Sequence, residues 1–142
     1  MISTTGEYAL RAAVCLAMSY PEPQTTADIA SKTQVPPGYL SKVMQLMVRR
    51  ELIVSRRGLH GGFTLVRPPA KISVLDVLVA ADAGPKRIKK CPLGIKGHIK
   101  LCPLHRLVDE SVAHAEKSFA STHLAALAES SRGITPLCET TG

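Results

Sequence analysis

The chain has 142 residues, enough for one packed core with an appended element and too few for two independent cores. Apolar residues make up 45% and aromatics 4%, with no Trp, so the core must be assembled from Ala, Leu, Val and Ile, which suits helices better than a β-sandwich. The formal net charge of +7 points to a polyanionic partner; no run approaches the ~18 apolar residues of a membrane span, and the first segment carries an acid and an Arg where an export leader would be apolar, so a soluble cytoplasmic protein is expected.

Taken in chain order, Gly6 to Tyr20 spaces Tyr8, Ala12, Cys15 and Leu16 by threes and fours, with Ala9 and Ala13 alongside, as an amphipathic helix does. Cys15 falls on that stripe as a small core residue, and Pro21 and Pro23 end the helix. Thr25-Thr26-Ala27-Asp28 supplies hydroxyl caps and an early acid for a short helix to about Thr33. After a brief turn, Pro36-Pro37-Gly38 opens a third segment, Tyr39 to Arg50. Its apolar face is Leu40, Val43, Met44, Met47 and Val48, and its polar side Ser41, Lys42, Gln45, Arg49 and Arg50. This is helix-turn-helix spacing.

Leu52–Ser55 and Phe63–Val66 then read as two strands around Arg56-Arg57-Gly58-Leu59-His60-Gly61-Gly62, a basic hairpin whose glycines permit a tight reversal. Three helices followed by such a hairpin make a winged helix-turn-helix. Ser73 to Ala80 forms a capped, largely buried helix that Gly84-Pro85 terminates. From Pro85 to Leu101 the pattern dissolves into a basic loop without an acid. Helical order returns at Pro103 for about four turns, with Leu104, Leu107, Val108, Val112, Ala115 and Phe119 on a stripe free to pair with a second copy. Ser121-Thr122 caps a last helix, His123 to about Ala128. The expected organisation is mainly α with a small β wing: a winged domain over 1–83, a metal-binding loop over 84–102, a dimerisation helix with a short last helix over 103–129, and a flexible tail over 130–142.

The third segment places its first turn in a major groove, where Tyr39, Ser41 and Lys42 reach base edges or phosphates, with Gln45 and Arg49 on the same polar side and Arg56, Arg57 and His60 extending the wing. The alternative is a solvated basic face on a protein-interaction module. Four cysteines in a chain of this kind argue for metal or redox chemistry over a disulfide framework. Cys102-Pro103-Leu104-His105 sets a thiolate and an imidazole one turn apart at a helix start, and Cys91 can fold back across the loop to join them on one metal. His98 is a reserve ligand in the same loop; Cys138 lies in the tail, and His114 and His123 on helix surfaces. Catalysis finds no support: there is no nucleophile elbow, P-loop or dinucleotide turn, and Gly58-x-x-Gly61-Gly62 lacks the following helix that a phosphate site needs. A non-enzyme is expected.

Gly6-Glu7-Tyr8-Ala9-Leu10-Arg11-Ala12, Val35-Pro36-Pro37-Gly38-Tyr39-Leu40, Arg57-Gly58-Leu59-His60-Gly61-Gly62-Phe63 and Cys102-x-x-His105 together resemble the IscR/NsrR family of winged-helix bacterial transcription regulators, over roughly Met1 to Ala128. The resemblance implies a homodimer joined through its long C-terminal helix, with an iron–sulfur cluster, [2Fe-2S] favoured over [4Fe-4S], adjusting affinity for a duplex DNA operator. Cys91 and Cys102 match the first and third cysteines of that family's cluster loop, His105 matches a ligating histidine, and Glu7 falls where some members use an acidic ligand from the partner subunit. The middle cysteine is absent, replaced by Lys96-Gly97-His98. Either two thiolates with His105, His98 or Glu7 hold the cluster, which would then have a raised potential suited to redox sensing, or this member carries none and senses through a mononuclear metal or thiol oxidation.

Overall fold

A computed structural model of the chain describes residues 2–97 and 100–129 together with Leu137. Helix α1 (Thr4–Ser19) begins two residues before the expected Gly6, because the Ser3 hydroxyl accepts the Gly6 N–H at 3.1 Å. It is central: Ala9, Ala12, Ala13, Val14, Cys15, Leu16 and Ala17 are all buried, and the small size of most of them lets segments 26–33, 37–49, 62–65, 74–80 and 124–128 approach it from several sides.

Helix α2 (Thr26–Thr33) is capped by the Thr25 hydroxyl, which accepts from Asp28 N–H at 3.2 Å, and ends at Gln34 in the left-handed region. Helix α3 (Pro37–Arg49) starts with Pro in its first turn, where the missing N–H costs nothing. Leu40, Val43, Met44 and Met47 form its buried face as the spacing predicts, whereas Val48 sits at the edge of that face, 37% exposed. Its end is a Schellman turn: Glu51 adopts φ +58°, its N–H bonds Val48 O at 3.0 Å and Leu52 N–H bonds Met47 O at 2.9 Å.

Strands β1 (Ile53–Arg56) and β2 (Gly62–Leu65) pair antiparallel with Ile53 opposite Leu65 and Arg56 opposite Gly62, so both lie one residue from their expected limits. Phe63 also exchanges two backbone hydrogen bonds with Gln24, at 3.0 and 2.8 Å, which pins the ribbon to the segment before α2. Gly62 makes that approach possible. It lies at φ +140°, and a Cβ there would stand 2.4 Å from the Gln24 carbonyl oxygen.

A 3-10 turn at Pro69–Lys71 leads to α4 (Val74–Ala80), opened by a reciprocal capping box between Ser73 and Asp76. Contrary to expectation, Gly84-Pro85 does not end α4. A second Schellman turn does so earlier, with Asp82 at φ +53° and Ala83 N–H on Leu78 O at 2.8 Å. The segment from Ala83 to Leu101 forms no helix or strand among its described residues.

Helix α5 (Pro103–Ser121) runs 19 residues, a turn longer than expected, and packs on α4 with no residue of its own fully buried. Helix α6 (Leu124–Ala128) returns to α1, and Leu124 is a fully buried core residue. The expectation that Ser121 and Thr122 cap α6 fails: both hydroxyls donate back to Ser118 O, at 3.1 and 3.0 Å, and finish α5. What positions α6 is backbone pairing of 122–124 with 72–74, through Val74 N–H on Thr122 O and Leu124 N–H on Ile72 O, both 2.9 Å. Of the tail over 130–142, only Leu137 is described, half-buried against the core; Cys138 lies outside the described residues. No described helix is long and apolar enough to cross a membrane.

Candidate functional site

Two places in the fold gather the residues singled out by sequence. On the first, Ser41, Gln45 and Arg49 project at helical spacing from α3 and line one groove together with Thr26, Ser55 and Phe63. Lys42 is exposed beside them. Thr26 and Ser55, absent from the sequence-based set, enter because α2 begins at the groove and Ser55 lies on the strand face turned toward α3.

Strand alternation separates Arg56 from this group. With Val54 it lines a different depression, among Arg50, Val66 and Arg67. Arg57, Leu59 and His60 are exposed at the hairpin tip, which closes with Gly61 N–H on Gly58 O at 3.0 Å. Tyr39 is partly committed to packing: its hydroxyl pairs with Thr5 Oγ1 at 2.7 Å and its ring meets Tyr8 edge-on, with centroids 5.1 Å apart. It thereby ties the first turn of α3 to the first turn of α1.

The second place is the start of α5. Cys102 is the N-cap residue and His105 stands three positions on, the same two positions a capping box uses, so their side chains meet over the first turn. Cys102 Sγ lies 3.0 Å and Cys91 Sγ 3.7 Å from His105 Nδ1, and the three donor atoms fall within 4.8 Å of one another. All three residues are half-buried. Glu7 is not among them; it pairs with Arg11 at 3.0 Å on α1. His98 lies outside the described residues.

Sequence reasoning missed the pair that fixes the arm leading to Cys91. Arg87 grips Asp109 of α5 through two parallel hydrogen bonds of 2.8 and 2.9 Å, and the Ile88 N–H adds a third at 2.8 Å. The Arg87 guanidinium, followed by the Ile88 amide, holds the Asp109 carboxyl down at about 2. Its value in the folded chain is therefore below the ordinary 3.8, so its stabilising contribution is complete above roughly pH 4 and is lost as pH falls toward about 2. A carboxyl-carbon NMR titration is expected to show Asp109 protonating in that low window, and Arg87→Ala to move it up toward the ordinary value.

Cys15, the remaining described cysteine, is a core residue as expected. Burial pushes its thiol up, and it donates to Gln24 Oε1 at 3.4 Å.

Known proteins resemble both the sequence and this arrangement. Over 94 residues the chain is 34% identical to a candidate helix-turn-helix-type transcriptional regulator of Mycobacterium tuberculosis, covering 66% of this chain and 58% of that protein. Over 124 residues it is 27% identical to a candidate rrf2-like regulator of Rhodobacter capsulatus, covering 84% and 79%. The chain thus spans somewhat more than half the length of the mycobacterial relative. Among solved structures, CymR, the global cysteine regulator of B. subtilis, superposes with a TM-score of 0.76 at 23% identity, covering 90% of this chain and 95% of that one, a likeness of fold. IscR of T. potens superposes at 0.68 with 26% identity, covering 88% and 83%. These relatives are named as regulators, not enzymes. Residues 2–130 match the Rrf2 family, described as iron-dependent transcriptional regulators, and the chain belongs to that family.

Proposed function

We propose that this chain binds duplex DNA as a homodimer and that a metal group held by Cys91, Cys102 and His105 sets its affinity. The observation that carries the reading is the convergence of these three donors, from a loop and a helix start, to within 4.8 Å of one another. Two thiolates and an imidazole are donor types that iron–sulfur centres use, and the iron-dependent description of the family points the same way. An iron–sulfur cluster, [2Fe-2S] in the first instance, would supply reversible one-electron chemistry there, making the protein a sensor of redox state, nitric oxide or cluster supply.

The chain's own residues supply the rest. Ser41, Gln45 and Arg49 on α3 face a major groove, and Arg57 and His60 extend the wing toward phosphates. The exposed Leu104, Leu107 and Val108 of α5 pack against a second copy, so that two α3 helices address half-sites about one duplex turn apart, some 34–36 Å. Because the ligands sit on α5 and on the loop before it, whatever they bind acts on the dimer helix directly.

A second reading is favoured by one feature, the compactness of the donor set. A tetrahedral ion with bonds of about 2.3 Å to sulfur and about 2.0 Å to nitrogen sets its ligands roughly 3.5–3.8 Å apart; Cys91 Sγ and His105 Nδ1 already stand at 3.7 Å, and opening the 3.0 Å pair of Cys102 and His105 by about half an ångström would seat a single ion with one open position. A thiol pair without metal is the variant of this reading, and Staphylococcus aureus CymR has been solved in an oxidized form.

Anaerobic reconstitution with iron and sulfide, followed by visible absorption and metal assay, decides among these. The expected result is a coloured protein containing iron and sulfide that Cys102→Ala leaves colourless. Zinc without sulfide would favour the single ion, and a colourless, metal-free protein with oxidation-dependent mass shifts the thiol pair. Failure of the dimer to bind any duplex at low salt overturns the regulatory reading itself.

A further inference from the structure

We infer that Arg87 and Asp109 are positioning residues for the metal site: their ion pair is a clasp that closes the ligand loop and holds Cys91 within reach of Cys102 and His105. The inference rests on the proposed role of those three residues and adds the part of the chain that preorganises them.

The placement is specific. Arg87 stands four residues before Cys91, and Asp109 stands four residues after His105, one turn along the same helix. Without the pair, the arm leading to Cys91 would lose its hydrogen-bonded anchor on α5, and the described residues between Cys91 and Cys102 form no helix or strand to replace it. With it, the loop is pinned at both ends to α5: Cys102 is part of the helix start, and Ile88 is fastened by its own N–H to Asp109 Oδ1 at 2.8 Å. Only Lys89 and Lys90 separate that anchor from Cys91.

The bond pattern suits a structural clasp better than an incidental surface pair. Asp109 accepts three hydrogen bonds, two from the planar fork of Arg87 and one from the backbone, and its side chain is only 14% exposed. A lysine at 87 could not reproduce the fork, and an amide at 109 would lose the charge that makes these bonds strong. Partners that orient metal ligands from outside the coordination sphere commonly change affinity by about 10–100-fold when removed. The clasp also connects the site to the helix proposed to join two copies, so loading the ligands and seating α5 become parts of one arrangement.

The test is an anaerobic titration of the full chain with Co(II), a tetrahedral probe whose thiolate charge-transfer band reports sulfur ligation. Wild type, Asp109→Asn, Arg87→Lys and the exchanged double variant Arg87→Asp/Asp109→Arg are compared, with circular dichroism confirming that each is folded. We expect Asp109→Asn to weaken Co(II) at least about tenfold without changing the band's shape, Arg87→Lys to weaken it less, and the exchanged pair to recover part of the loss. Equal affinity of wild type and Asp109→Asn overturns the clasp.

Should wild type bind neither Co(II) nor a cluster, the metal reading fails, and the clasp is judged on sulfur proximity alone. In glutathione buffers the Cys91 and Cys102 thiols give up two electrons and two protons to form one disulfide, and glutathione disulfide becomes two glutathione thiols. The equilibrium for that bond is expected to fall about tenfold in Asp109→Asn, and an unchanged equilibrium overturns the proposal.

Discussion

Raising monovalent salt from about 50 to about 200 mM is expected to weaken binding to duplex DNA roughly a thousand-fold, the counterion-release response for about six neutralised phosphates. The cations assigned to phosphates are Lys42, Arg49 and Arg57, doubled in a dimer. All are exposed, and none forms an ion pair among the described residues. Arg50 and Arg67 are excluded because Asp82 and Asp76 stand 2.8 and 3.8 Å from them, and Arg56 because it lines the opposite face of the ribbon. Fluorescence anisotropy across a salt series checks this. Arg57→Ala should flatten the slope by about two while weakening all sequences alike, and Arg56→Ala should change it little. Gln45→Ala should leave the slope alone and cost about 1–3 kcal/mol at one base pair. A salt-independent interaction would identify the winged domain as a protein-binding module instead.

Leu40→Ala is expected to remove about 2–5 kcal/mol of folding stability, a large share of the ~5–15 kcal/mol that holds a domain of this size together. Leu40 is fully buried on the inner face of α3, one residue from Ser41 on the outer face. The neighbouring change Ser41→Ala should cost no more than about 0.5 kcal/mol, although both alter the same turn of helix. Urea denaturation of the two variants separates the roles: Leu40→Ala shifts the midpoint, and Ser41→Ala acts on DNA affinity alone. A loss below about 1 kcal/mol at Leu40 would mean that the site collapses around the cavity and that α3 is less firmly seated than its burial implies.

The helices were legible because their signals are local. The three-and-four spacing of α1 and α3, the Thr25 and Ser73 caps, and Pro37 and Pro103 in first turns each act within a few residues, and the structure follows them to within a turn. The meeting of Cys102 and His105 was legible for the same reason. What escaped depends on contacts between distant parts of the chain. The Gln24–Phe63 bridge, the pairing of 122–124 with 72–74 and the Arg87–Asp109 clasp join residues that carry no mark of each other in sequence. Ser121 and Thr122 misled because a hydroxyl near a helix end serves equally to cap the next helix or to bond the last carbonyls of its own. Gly84-Pro85 misled because Asp82 had already taken the left-handed position. The face of the wing that each arginine occupies was likewise hidden, since a one-residue shift in strand limits reverses it.

The bridge between Gln24 and Phe63 bears on which molecule yields in the proposed complex. A hairpin held only at its base could bend to suit the groove it meets, but this one is also braced near its tip, where the Gln24 backbone holds Phe63 of β2 through two hydrogen bonds. Shape adjustment is therefore expected to fall on the nucleic acid, with sequences whose base steps flex cheaply favoured at positions that no side chain touches.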